Sequence, residues 1–410
     1  LLVSRVTVPH HNAPATTRKK MSLSFLRSFY AIVLKFLRRL LHGRRWWVVA
    51  TVPVVIFFGI FFAAQNYEAF YRRLVWDDYL FKIQNPLANM ADHYAHDSHS
   101  AKLTFRLVVP LVGHLLGLGK NGILVWMQIS GVILVAGAML LVWRDTRDRY
   151  TALFAGLFFV STNAGMLAFT PYFPYIDGIY ISFLMLALLA RHPALVWLAC
   201  FTAAWCDERA LITTPLVMIY HAYRLLPAAA PGETFWPGLR RQALAFFNPA
   251  CLAIIASWLS YGALRLYLAK AYHLYTVTET FAVSEKLKGV LFFALWTALE
   301  GGWFLLLLAV VALWLRRDWL FIPAMGSSMA VLLAASVLVR DLSKSLTYLY
   351  PLAFIAILVL SRTEGRAQLR RLVFGAFFLS WVMGNYHVWT TLEPAESIYW
   401  VYPLPLYLKP

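Results

Sequence analysis

The residues able to do chemistry in this sequence are few, and they fall in short clusters. The first is Trp76-Asp77-Asp78-Tyr79. Two adjacent carboxylates suit either of two jobs: taking a proton from an acceptor hydroxyl, or ligating a divalent cation such as Mg or Mn, since hard cations take oxygen ligands. A solvated acidic turn paired with Arg72 or Arg73 accounts for the same residues. Shortly after, His93, His96 and His99 recur every third residue beside Asp92 and Asp97. On a helix each such step drifts by about 60°, so the three share one broad face. They are secondary metal candidates, because a zinc site needs about four convergent ligands and neither CxxC nor HExxH spacing is present.

Three further clusters interrupt apolar sequence. Asp177 lies in TPYFPYIDGIY with Tyr172, Phe173, Tyr175 and Tyr180, an aromatic group that reads as an interface belt or as a sugar platform. Asp207, Glu208 and Arg209 stand in a row with apolar residues on both sides. Charges so placed are costly unless paired or lining a wet cavity, which makes them a substrate-binding hypothesis; the plain alternative is an internal ion pair fastening a helix break. Arg340, Asp341 and Lys344 supply two cations and an acid near Tyr348 and Tyr350, a set suited to a phosphate or pyrophosphate or to an ordinary charged loop.

The elements that position these clusters follow from composition. The chain is 61% hydrophobic and only 14% charged, outside the balance of soluble domains. Apolar runs near bilayer length satisfy their backbones in lipid as helices, and continuous rather than alternating runs select helices over a barrel. The expected spans are 46–65, 120–143, 151–170, 174–190, 193–206, 210–225, 246–270, 289–315, 319–339, 346–361 and 369–389, giving an all-α polytopic bundle of about eleven spans. Segments 193–206 and 210–225 are short enough to form one broken pair around Asp207-Glu208-Arg209. Segment 102–118 holds Arg106, Pro110 and His114 and is expected to lie on the outer face without crossing.

The formal net charge of +18 is a topology signal, not a nucleic-acid surface. With the N-terminal side inside, every alternate loop carries arginines: 144/147/149, 191, 240/241, 316/317 and 362/366/370/371. The acidic clusters then share the outer side, so the expected arrangement is N-in and C-out in a bacterial inner membrane, with the site facing the periplasm. Residues 1–20 precede Met21 and are expected to form a disordered N-terminal extension; 21–45 interleave apolar and basic residues like an interfacial amphipathic helix; 46–389 form the transmembrane bundle, with an outer-face segment at 66–119; 390–410 form a periplasmic tail. Cys200, Cys206 and Cys251 sit in apolar sequence and read as small buried hydrophobes.

A first span followed by an acidic outer segment with Asp77-Asp78, an outer-face helix at 102–118, and a helix bundle with charged outer corners resembles the GT-C superfamily of integral membrane glycosyltransferases. The resemblance implies a polyprenyl-phosphate-linked sugar as donor, Asp77 or Asp78 as the carboxylate that activates the acceptor, and Arg209, Arg340 and Lys344 against the lipid phosphate. It also implies membrane lipid and envelope-biosynthesis proteins as partners. Two other classes fit the same residues. One is a transporter or flippase of a lipid-linked or anionic solute; the other is a non-catalytic membrane subunit of an envelope-polysaccharide complex.

Overall fold

The computed structural model describes residues 35–61, 76–93, 100–169, 177–230, 232–275, 287–338, 342–383, 386–388 and 398–400. The chain divides into two units, residues 1–50 and 51–410. In the first unit residues 35–40 are helical, and the remainder of the expected amphipathic helix, 21–34, lies outside the described residues together with the 1–20 extension.

Each of the eleven apolar segments carries helix. In chain order these are α1 Trp46–Phe61, the short helices α2 Trp76–Gln84, α3 Met90–His93 and α4 Val108–Leu116, then α5 Lys120–Thr146, α6 Arg149–Val160, α7 Asn163–Phe169, α8 Asp177–Leu189, α9 Pro193–Cys206 and α10 Arg209–Leu225. They continue with α11 Phe235–Ala245, α12 Pro249–Ala271, α13 Leu287–Leu299, α14 Gly302–Leu315, α15 Phe321–Val337, α16 Leu342–Leu346, α17 Pro351–Ser361 and α18 Arg366–Met383. A three-residue ladder pairs β1 Tyr386–Val388 with β2 Ile398–Trp400, an addition to the all-helical expectation. Among the described residues three helical stretches are long and apolar enough to cross a membrane, Lys120–Thr146, Pro249–Ala271 and Leu342–Ser361, or up to five if each of two bent pairs is one span.

Local sequence sets the ends. Asp148 caps α6 by accepting from the backbone N–H groups of Tyr150 and Thr151, and Asn248 does the same for α12 ahead of Pro249 at its first position. Expected segments 151–170 and 289–315 are each bent rather than straight, by 73° between α6 and α7 and by 74° between α13 and α14. A Cβ on Gly165 would strike the Phe159 carbonyl, and one on Gly301 the Ala376 carbonyl, so each bend depends on a glycine for close backbone approach. Between them α17 is buried along Pro351–Leu360, while Leu259, Leu266, Phe292, Leu307 and Leu315 on other helices are exposed. Large apolar side chains outside and a packed helix inside is the distribution a lipid solvent permits.

Hydrogen bonds sort the helix ends into two layers. At one, Arg144 donates to the Leu188 and Leu189 carbonyls, Arg362 to those of Arg224 and Leu226, Arg316 to that of Arg362, and Arg370 to Asp148. These contacts gather the arginines at one end of the helices. At the other layer lie the acidic clusters. Helix α10 connects the two, from Arg209 to Arg224, about 23 Å at 1.5 Å per residue.

Candidate functional site

Asp207 ends α9, and Arg209 opens α10 two residues later. That geometry turns the carboxylate back onto its neighbour: Oδ1 accepts from the Arg209 backbone N–H at 3.0 Å and from its Nε at 2.9 Å, and Oδ2 from Nη2 at 2.7 Å. The second guanidinium comes from Arg106, just before α4, whose Nη2 lies 3.0 Å from Oδ2. Asp207 is 1% exposed, and its acceptors are spent on two guanidiniums, that of Arg106 buried and that of Arg209 part-buried. It orients cations rather than moving protons.

Arg209 spends its remaining reach on α16. Its Nη1 donates to Ser345 Oγ at 2.6 Å, and the guanidinium lies 5.2 Å from the centre of the Tyr348 ring. Tyr348 in turn stacks on Tyr180 of α8 at 4.5 Å. One turn earlier on α8, Asp177 pairs with Lys344 at 2.7 Å, both buried. Glu208 points the other way: its carboxylate takes Arg265 of α12 at 3.3 Å and lies 3.9 Å from Arg106. Arg265 packs 4.1 Å over the Phe105 ring and donates to the Tyr261 hydroxyl. With side chains 31% and 28% exposed, Glu208 and Arg265 form the open edge of the cluster.

Four cations, Arg106, Arg209, Arg265 and Lys344, thus face three carboxylates, Asp177, Asp207 and Glu208, leaving one positive charge in excess among the described residues. Desolvated guanidiniums held in fixed forks are suited to a phosphate-bearing group.

Helix α2, which carries the first acidic pair, reaches this cluster through Tyr79. Tyr79 is buried with its hydroxyl beside Arg106, and burial raises its pKa above the ordinary phenol range. Asp78, adjacent to it, is half-buried, and Asp77 is exposed. Lys82, one turn on, is fully buried with Nζ donating to the Ala88 carbonyl at 2.6 Å, and burial pushes it down to about 8.

The sequence-predicted residues therefore divide. Asp177, Asp207, Glu208, Arg209 and Lys344 come together, while Asp77 and Asp78 sit on α2, whose Tyr79 lies beside Arg106. Arg340 and Asp341 lie outside the described residues, as do His96 and His99. His93 is exposed and makes an edge contact with Phe81 at 4.7 Å. Among the described residues no three His, Cys, Asp or Glu side chains converge as metal ligands. The three cysteines are buried and free.

Sequence reasoning did not assign Arg106, Arg265 or Ser345 to the site. Arg265 had a signal, a lone guanidinium inside an apolar helix. Glu300, at the α13–α14 bend, had the same signal: it is fully buried, and its Oε1 accepts from the Asn163 N–H at 2.9 Å.

Directly below the cluster an apolar groove of about 490 Å³ runs between α10, α12 and α15, lined by Leu211, Ile212, Pro215, Trp258, Ser327, Ser328 and Val331. Its polar atoms are satisfied within the walls. Ser327 and Ser328 return their hydroxyls to the Ala324 carbonyl. Pro215 leaves the Leu211 carbonyl without its usual helical donor, and the Thr214 hydroxyl supplies one at 2.7 Å, while Trp258 Nε1 donates to Thr214 at 2.7 Å. Ile212 is one helical turn from Arg209, and Trp258 two turns from Arg265, so the groove begins about 5–10 Å beneath the guanidiniums.

No protein-family model matches the chain, and no curated protein or solved structure is recognisably similar to it.

Proposed function

We propose that this chain is a GT-C-like membrane glycosyltransferase, spanning the bacterial inner membrane about eleven times with its N-terminal side inside. It moves a sugar from a polyprenyl-phosphate donor to a periplasmic or lipid-linked acceptor. The observation that carries this reading is the stacking of a cation-rich cluster on an apolar groove, a pairing that fits an amphiphile with an anionic head and a long hydrocarbon tail. In this reading the acceptor hydroxyl attacks the anomeric carbon, the carbon–oxygen bond to the lipid phosphate breaks, and the phosphate leaves with the electron pair beside Arg209 and Arg265. Asp78, half-buried on α2 next to the buried Tyr79, takes the hydroxyl proton, with Asp77 as the alternative base.

The test is transfer of radiolabelled sugar from a panel of polyprenyl-phosphate sugars by the purified protein in lipid, comparing wild type with Asp77→Asn and Asp78→Asn. General-base assistance is worth about 10²–10⁴ in rate. Turnover by wild type that survives unchanged in both variants removes the proposed base, and saturable binding without turnover favours transport.

One observation supports a transporter as the second reading. Two bent helix pairs meet at Glu300 and Asn163, and discontinuous helices meeting inside a bundle are where transporters place their sites.

A further inference from the structure

At the arginine-rich end, α11 is fastened to the α14–α15 turn by Gln242, whose Nε2 donates to the Arg317 carbonyl at 2.9 Å and whose Oε1 accepts from the Leu320 N–H at 2.9 Å. Between them is a cavity of about 230 Å³ whose walls include Thr234, Phe235, Arg316, Arg317 and Trp319. The acids near by are already committed. Glu233 accepts from Arg241, and Asp318 from Arg241 and Arg316. Arg317 is exposed, has no acidic partner among the described residues, and is held at the rim by a left-handed backbone, φ +59°. Arg240, Arg241, Arg316 and Arg317 thus outnumber the two carboxylates by two.

The surroundings of this cavity are apolar and aromatic. Trp236 is 74% exposed and Trp314 66%; Trp236 packs on Phe235 and Trp314 on Trp319, and Phe235 and Trp319 pack at 5.2 Å on its wall. Exposed tryptophans beside arginines at the end of apolar helices are the pattern of a membrane–water interface. Soluble phosphate would need the cations alone; only a lipid also uses the aromatic shelf.

We propose that this cavity binds the anionic headgroup of a membrane phospholipid, its phosphodiester against Arg317 and Arg316 and its glycerol and first chain carbons along Trp236 and Trp319. The site is separate from the glycosyl-transfer cluster and rests only on the reading that the chain is embedded in a membrane.

The experiment is native mass spectrometry of the full chain, stripped of lipid in detergent and titrated with phosphatidylglycerol or with phosphatidylcholine of the same chains. Wild type is expected to retain phosphatidylglycerol at least roughly fivefold better, the effect of about one interfacial cation, and Arg317→Gln to abolish the preference. Arg317→Lys, which keeps the charge, is expected to preserve most of it, so a loss in Arg317→Gln is not mistaken for misfolding. Equal retention of both lipids, or an unchanged preference in Arg317→Gln, overturns the site. Displacement of the lipid by millimolar inorganic phosphate reassigns it to free anion and overturns the lipid proposal. A chain that stays in solution without detergent removes the membrane reading instead.

Discussion

Glu300 and Asn163, 137 positions apart, are joined by a hydrogen bond in which one carboxylate oxygen accepts the Asn163 backbone N–H at 2.9 Å. The contact ties the bend between α13 and α14 to the bend between α6 and α7. The other buried acids among the described residues, Asp148, Asp177, Asp207 and Asp318, each have an Arg or Lys within ion-pair distance. Glu300 has none there and is held by backbone geometry instead.

Glu300→Gln keeps an acceptor oxygen and nearly the same volume, and is expected to fold like wild type. Glu300→Ala strands the buried N–H and is expected to cost about 1–3 kcal/mol. Thermal unfolding in detergent checks the pair; identical melting of both variants would remove Glu300 as the fastener.

Gly165→Ala and Gly301→Ala each drive a methyl group into a neighbouring carbonyl. Overpacking against backbone costs about 1–3 kcal/mol. Gly326→Ala, with open space around it, serves as the control, and a control that loses as much stability as the bend variants removes the close-approach argument.

Asp207→Ala leaves Arg106 and Arg209 buried without their shared carboxylate. Breaking a buried ion pair from one side costs about 3–5 kcal/mol, so the variant is expected to express poorly and melt early. Asp78→Asn is expected to leave melting unchanged while stopping sugar transfer. A stable but inactive Asp207→Ala protein would reverse these roles.

Filling the groove tests its occupant. Val331→Trp, on the α15 wall, is expected to raise KM for long-chain polyprenyl donors by roughly tenfold or more, with a smaller change for donors truncated to one or two isoprene units, because buried methylenes carry about 0.8 kcal/mol each. Equal effects on long and short donors would show that the chain lies elsewhere.

Lys82 and Asp148, both outside the spans, make stability rise with pH in two separate ranges. Burial holds Lys82 near 8 in the folded state, against about 10.4 unfolded. Below pH 8 both states carry the proton; above it the folded chain releases the proton first, so stability rises between about 8 and 10.4. Lys82→Met is expected to lose that rise, and parallel melting profiles of the two proteins over this range would disprove it. Burial alone would raise Asp148, but hydrogen bonds from Arg370 and Thr151 outweigh it and hold the carboxyl below its usual range. Its contribution is present above the unfolded value near 3.9 and is lost as pH falls through the folded one.

The helices were legible because apolar runs of bilayer length leave the backbone few options, and the basic ends because arginines mark one side. The bends were not: 151–170 and 289–315 read as continuous runs, although Ser161-Thr162-Asn163 and Glu300-Gly301-Gly302 interrupt them. At the site, the Asp207-Glu208-Arg209 row was visible as a cost needing explanation. Its partners Arg106, Arg265 and Ser345 come from other elements, 57 to 136 positions away for Arg265 and Ser345, and only tertiary packing brings them together.

The arginine-rich layer also bears on biogenesis. Arg144 reaches carbonyls about 45 positions later in the chain, and Arg362 reaches back 138 positions to the Arg224 carbonyl. During insertion, the end of α10 waits for its last donor until the chain has been synthesised past residue 362. The layer works as a clasp closed by a late segment, so a nascent chain stalled before that point exposes open helix ends to quality-control proteases, whereas the finished one does not.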